Sequence, residues 1–283
     1  MEEKRNRATG WKHAKLSGHE NESTIEKMIE NDQEYQHAFL EKLGKPTATI
    51  KHIQVGGLYE KDVECVFPGE KTKSKTDMQI ILDDNTIYNV SIKKSLGGQV
   101  YLISDSRFMQ GYEKQYNCII PSKVKRAIQL FWGSADDTQQ IINDFGTQKK
   151  YENHKHRLVA DSIKVYDKSL YDELLAWFTN NVTNLVDFCF SKGLAKNPKD
   201  WANIIWYKNE LGENTVDRIF SIEEMSGFLA KNASQNTEYG TRGGGTTIQL
   251  PFGFVQWHSP TKVIPGCMQF HHSYEKIEQA QKE

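Results

Sequence analysis

Apolar residues recur at helical spacing between Ser17 and Leu43. Ile25, Met28, Ile29, Tyr35, Phe39, Leu40 and Leu43 line one side of a 3.6-residue period. Ser17 and Glu20 have the S-x-x-E spacing of a capping box, and Gly44 and Pro46 end the pattern, so one helix is predicted over 17–43. The period then shortens. Ala48–Val55 and Asp62–Phe67 read as short strands, and Asp77–Leu82 and Thr86–Lys94 flank the turn cluster Asp83-Asp84-Asn85 as a hairpin. Gln99–Ser104, after Gly97-Gly98, reads as a third strand. Pro121–Phe131 predicts a helix with proline near its first turn, Gly146–Lys168 a connection or an edge, and Ser169–Ser191 a second long helix closed by Gly193. Trp201–Lys208 and Val216–Phe220 predict strands. Ser221 and Glu224 form another capping box, opening a helix to about Lys231. Asn232–Gly245 reads as a polar loop, and Thr246–His258 and Cys267–His272 as closing strands. The succession predicts a mixed α/β fold, with a central mixed β-sheet flanked by helices and a second α/β half. It divides the chain into 1–135 and 136–283, or leaves it as one compact body.

Composition narrows the classes. Lys and Arg number 36 against 37 Asp and Glu, which excludes a uniformly basic histone-like or ribosomal protein but not a locally basic surface. An aromatic content of 11% excludes a disordered chain. No apolar run approaches the roughly 18 residues of a membrane helix, and MEEKRNRATGWKHAKL lacks the apolar centre of a secretory signal. Cys65, Cys118, Cys189 and Cys267 are scattered without a CxxC pair, which predicts reduced thiols in a cytoplasmic protein.

Candidate chemistry concentrates in Lys71–Ser104. Side chains alternate faces along a strand, so Ser91 and Lys93 point one way and Tyr88, Val90 and Ile92 the other. The hairpin brings Asp77 to the same end. Phosphodiester hydrolysis needs a divalent metal on carboxylates, an activated water, and a cation near the developing charge. An acid on one strand and an x-Lys pair on its neighbour supply those parts.

In this Asp77…Ser91-x-Lys93 layout the segment Gly10 to Ser104 resembles the PD-(D/E)XK nuclease superfamily, and within it the type II restriction endonucleases. Thr76 stands at the family's frequent proline, and Ser91 at its second acidic ligand. The resemblance implies an extra Glu on the first helix, for which Glu22 is the candidate. It lies three residues before Ile25 and seven before Ile29, on the inward face, where a carboxylate is costly unless paired or metal-bound. Glu20, Glu64 and Glu70 are the alternatives. The resemblance also implies Gln99 close to the site. The implied activity is Mg²⁺-dependent, site-specific cleavage of double-stranded DNA, with Mg²⁺ on Asp77, Glu22 and the backbone carbonyl of Ile92. Lys93 would orient or deprotonate the attacking water. The implied partners are DNA and, in the same prokaryotic cytoplasm, a cognate DNA methyltransferase, with a homodimer or a sequentially nicking monomer as the assembly.

Lys71, Lys73 and Lys75 lead straight into Asp77 and are the best-placed phosphate contacts. In the second half, Arg242 sits in the glycine-rich stretch Tyr239–Gly245, and Gln256, His258, Gln269 and His271 supply polar groups for base edges. His271-His272 lacks the Asn–His spacing of an HNH nuclease, and adjacent strand residues face opposite ways. The competing functions are a repair or structure-specific nuclease and a non-catalytic DNA-binding protein on a decayed nuclease fold. A small-molecule α/β enzyme is a third.

Overall fold

The computed structural model describes residues 7–55, 62–145, 157–212, 214–258 and 266–283, with side chains in the first helix from Leu16 onward. The elements run in the order α1 (Arg7–Asn31), α2 (Gln33–Lys42), β1 (Ile50–Val55), β2 (Asp62–Glu64), β3 (Lys71–Lys73), β4 (Met78–Leu82), β5 (Ile87–Lys93) and β6 (Gly97–Ser104). Then come α3 (Asp105–Tyr116), α4 (Ser122–Trp132), α5 (Thr138–Phe145), α6 (Ala160–Tyr166), α7 (Lys168–Asn180) and α8 (Val182–Asp187), which a π-turn (Phe188–Lys192) extends. The chain continues through β7 (Ile204–Lys208), β8 (Asp217–Ser221), α9 (Ile222–Lys231), α10 (Ala233–Asn236), β9 (Glu238–Tyr239), β10 (Thr247–Leu250), β11 (Gly253–Trp257), β12 (Cys267–Ser273) and α11 (Tyr274–Lys282). The fold is mixed α/β.

Its contacts divide it into two units interleaved in sequence rather than at residue 135. The first takes Met1–Cys65, Gly69–Leu96 and Ala195–Ile222, and the second takes Val66–Pro68, Gly97–Leu194 and Glu223–Glu283.

The first unit is built on a sheet of order β1-β4-β5-β7-β8. β4 and β5 form the expected hairpin, with Met78 opposite Val90 and Ile80 opposite Tyr88. Asn85 takes a left-handed φ of 64° at its turn, and Asp84 accepts from the Thr86 N–H at 2.8 Å. β5 then pairs in parallel with β7, placing Ser91 beside Ile205 and Lys93 beside Tyr207. Alternation sends Met78, Ile80, Leu82, Val90, Ile92, Ile204 and Trp206 into one apolar cluster with Ile25 and Ile29 of α1 and Phe39 and Leu40 of α2. Each of these large side chains contributes on the order of 1.5–3 kcal/mol by leaving water. The cluster fixes which face of β5 is left for polar chemistry.

Two expectations are corrected in this unit. The helix over 17–43 is two helices. Asp32 interrupts it in an extended conformation and caps α2, accepting from the N–H groups of Glu34 and Tyr35. Ser17 is not a cap, because α1 begins at Arg7 and runs through it, so the S-x-x-E spacing there falls inside a helix. The strand carrying Gln99 forms as expected, and β7 pairs with the free edge of β5. From Gly97 the chain runs in the sheet of the second unit.

That second sheet has the order β6-β12-β11-β10-β9, antiparallel throughout. Its inward face and the helices share an aromatic core that includes Phe108, Tyr112, Trp132, Phe178, Phe188 and Phe270. Thr246–His258 is a hairpin, β10 and β11, turning at Pro251-Phe252. The long helix over 169–191 is also broken, at Asn181, before Gly193 closes it with its N–H on the Phe188 carbonyl. α3, α5 and α11 have no counterpart among the expected elements, and α10 and β9 lie within the expected polar loop. α3 hides because a glycine interrupts its apolar stripe. A Cβ at Gly111 would stand 2.3 Å from Leu194, so the helix needs the glycine to pack. α6 occupies part of the segment 146–168, whose residues 146–156 lie outside the described ones. Among the described residues no helix is long and apolar enough to cross a membrane.

Candidate active site

The polar face of the first sheet is organised around Asp77. Its N–H donates to the Val90 carbonyl at 2.9 Å, which fixes it at the open end of the hairpin. Its Oδ2 accepts from the Ile92 N–H at 2.7 Å and from the Ser91 hydroxyl at 3.2 Å. Lys93 Nζ donates to the same Ser91 oxygen at 2.6 Å. Ser91 is therefore a bridge. It accepts from the cation and donates to the carboxylate, holding the two apart at fixed positions. Asp77 Oδ1 has no hydrogen-bond partner among the described residues.

Glu22 completes the group from α1. Burial and the neighbouring Asp77 carboxylate push its carboxyl up to about 8, with Lys93 pulling the other way. His19 Nδ1 stands 3.4 Å from Glu22 Oε2. Burial likewise raises Asp77, against the opposing pull of Lys93, the Ile92 N–H, Ser91 and Lys75. Burial lowers Lys93, against Asp77 and Glu22. Two acids and one amine thus share a poorly solvated patch in which each disfavours its own charge. Strongly perturbed groups cluster at functional sites, which makes these three a candidate site.

The other candidate acids lie elsewhere. Glu20 is exposed on α1. Glu64 is held by Lys196 and Asn197, which depress its carboxyl. Glu70 is exposed, and its carbonyl accepts from the Cys65 N–H. Lys71 and Lys73 are exposed on β3, with Lys73 paired to Asp62 at 2.9 Å, while Lys75 is near enough to Asp77 to lower its carboxyl.

The second unit gathers Gln99, Gln256, Gln269 and His271 on one face of its sheet. Gln256 Nε2 donates to Gln269 Oε1 at 2.9 Å, and Gln269 Nε2 donates to Gln99 Oε1 at 2.7 Å. Gln256 Nε2 is also 3.4 Å from His271 Nε2, and the His271 ring stacks on Phe254 with centroids 4.5 Å apart. Burial and His258 lower His271. Gln99 is thus one end of an amide row. His272 faces the opposite way, buried and edge-on to Phe190. Arg242 is exposed in a short 3₁₀ turn, its carbonyl accepting from the N–H groups of Gly245 and Thr246.

Sequence reasoning passed over Asn21, which is fully buried and binds Lys208 and Glu210. The signal was available, since Asn21 stands four and eight residues before Ile25 and Ile29, on the core stripe of α1.

No family model matches the chain, and no curated protein matches it significantly. Among solved structures the chain is similar to a crystal structure of restriction endonuclease MspI in complex with its cognate DNA. The sequences are 14% identical, the match covers 87% of this chain and 83% of that one, and the TM-score is 0.47.

Proposed function

We propose that this chain is a Mg²⁺-dependent, site-specific endonuclease of double-stranded DNA of the type II restriction kind. The observation that carries the reading is the hydrogen-bonded series Lys93–Ser91–Asp77 with Glu22 in its electrostatic reach. The donor set suits Mg²⁺. Asp77, Glu22 and the Ile92 carbonyl would all present oxygen to a cation. Oxygen donors of this kind fit a hard cation that keeps several of its own waters. A bound dication would ease the cost of charging both acids. When bound, Mg²⁺ supplies charge neutralisation at the phosphate and a lowered pKa for the attacking water.

The chain's own groups do the rest. Asp77 offers the free Oδ1, because Oδ2 is already engaged by Ile92 and Ser91. Glu22 supplies the negative charge that Ser91 lacks. Lys93, lowered by burial, holds or removes a proton from the water and stabilises charge developing on the phosphate. Ser91 keeps Lys93 from collapsing onto Asp77. Lys71, Lys73 and Lys75 hold DNA phosphates. Arg242, Gln256, His258, Gln269 and His271, with Gln99 in the amide row, read base edges. A homodimer would match a palindromic target by its two-fold axis, and a cognate methyltransferase in the same cytoplasm would protect the host site.

The test is incubation of purified protein with unmethylated phage DNA and Mg²⁺, beside Asp77→Ala and Lys93→Ala. Discrete fragments that vanish in both variants support the reading. Salt-sensitive DNA retention without cleavage would overturn catalysis and favour a non-catalytic binder, the function suggested by serine at position 91. A smear lost in both variants would mean a nuclease that does not read sequence.

A further inference from the structure

Asn21 commits both ends of its amide to one short stretch of backbone. Its Nδ2 donates to the Lys208 carbonyl at 3.0 Å, and its Oδ1 accepts from the Glu210 N–H at 2.7 Å. These groups flank Asn209, where β7 ends. The side chain is fully buried. An asparagine serving only to pack a helix would be better replaced by an apolar residue, since a buried amide contributes mainly through the specificity of its partners.

That specificity has a geometric meaning. Ile25 and Ile29 hold α1 on the sheet by apolar contact, which is non-directional and tolerates sliding and rotation. A two-point amide does not. The backbone it grips is braced from its other side. Lys208 Nζ reaches Glu210 at 2.8 Å and Asp217 at 2.7 Å, Asp217 also accepts from Trp206 Nε1 at 2.9 Å, and Glu210 accepts from the Tyr35 hydroxyl at 2.7 Å. β7 lies parallel to β5 with Tyr207 beside Lys93, so the gripped stretch is at the Lys93 end of the sheet. Glu22 is the next residue on the helix.

We propose that Asn21 is the positioning residue for Glu22. It locks the rotation and register of α1 so that the Glu22 carboxyl is set against Asp77 and Lys93, and it thereby raises divalent-cation affinity without touching the cation. This rests on the reading of Glu22 as a metal ligand.

Direct Mn²⁺ titration of the full chain by electron paramagnetic resonance tests it, with wild type, Asn21→Ala, Asn21→Ser, Glu22→Gln and the double variant Asn21→Ala/Glu22→Gln. Removing an outer-shell support costs roughly 10–100-fold in metal affinity. Asn21→Ala should weaken Mn²⁺ binding by about tenfold on that scale, Asn21→Ser by less, and the double variant should bind as Glu22→Gln does alone. Cleavage by Asn21→Ala should need more metal yet recover near wild-type turnover at saturation. Unchanged Mn²⁺ affinity in Asn21→Ala, or an equal loss in both backgrounds, would overturn the positioning role. Failure of both Asn21 variants to fold would overturn it too, by making Asn21 a structural residue. Wild-type affinity in Glu22→Gln would instead remove Glu22 as a ligand, and the positioning role with it.

Discussion

Ser91 stands where the resembling nucleases carry an acid, and its hydroxyl spans Lys93 and Asp77. Ser91→Asp should lower the half-saturating Mg²⁺ concentration for cleavage by roughly an order of magnitude, since ligand charge tunes affinity for hard cations. The same variant should be less stable in chelator, because a third acid joins a buried cluster. Glu22 carries a pH signature. Its folded pKa, about 8, lies above the ordinary 4.5, so the folded state holds the proton more tightly than the unfolded one. Stability from this group is full below the ordinary value and is lost as pH rises toward the folded one. In chelator, Glu22→Gln should therefore melt close to wild type near about pH 5 and clearly above it near about pH 9, by calorimetry. Equal melting at both would contradict the burial of that carboxyl. The period of two along a strand makes the pairing of Ser91 and Lys93 legible, and the helical stripe makes Glu22 legible. Asn21 is harder to read, because its partners come 187 and 189 residues later and nothing local announces them.

Elements depend on a few residues that set their ends. Asp32 caps α2 and separates it from α1, so Asp32→Ala should cost about 1 kcal/mol in urea unfolding. Gly253 opens β11 with a φ of 154°, and a Cβ there would meet the His271 carbonyl oxygen at 2.0 Å. Gly253→Ala should therefore destabilise by about 2 kcal/mol or more, and should disturb the Gln256–His271 contact before the Asp77 site. Tryptophan fluorescence and hydrogen exchange would separate the two. The β4–β5 hairpin was readable from Asp83-Asp84-Asn85, because a turn is local chemistry. The sheet that takes the Gln99 strand is harder to read. Strand order is not local, and the edge of β5 is claimed by residues more than a hundred positions away. A buried parallel strand such as β7 shows only an apolar run, with no sign of its partner.

At the scale of the whole molecule, charge balances near zero at −1, so any DNA affinity must come from local clusters rather than a global field. Replacing Lys71, Lys73 and Lys75 with alanine should flatten the plot of log binding constant against log salt by about 0.9 for each phosphate no longer neutralised. Gln256→Ala and Gln269→Ala should leave that slope alone and relax sequence preference instead. A slope unchanged by the lysine variants would remove β3 and its following loop from the DNA path. The division of the chain was not legible, since spatial proximity rather than composition draws it, and both units return to sequence that precedes and follows the other. This interleaving bears on how the protein is made. The strand that completes the Asp77 sheet, β7, spans Ile204–Lys208 of a chain of 283 residues. Synthesis runs from the N-terminus, so Glu22, Asp77, Ser91 and Lys93 all leave the ribosome long before the strand that supports them. A nascent chain ending before Ile204 holds Glu22, Asp77, Ser91 and Lys93 without the strand that pairs with β5, so under the proposed function the site takes shape only after β7 has been made.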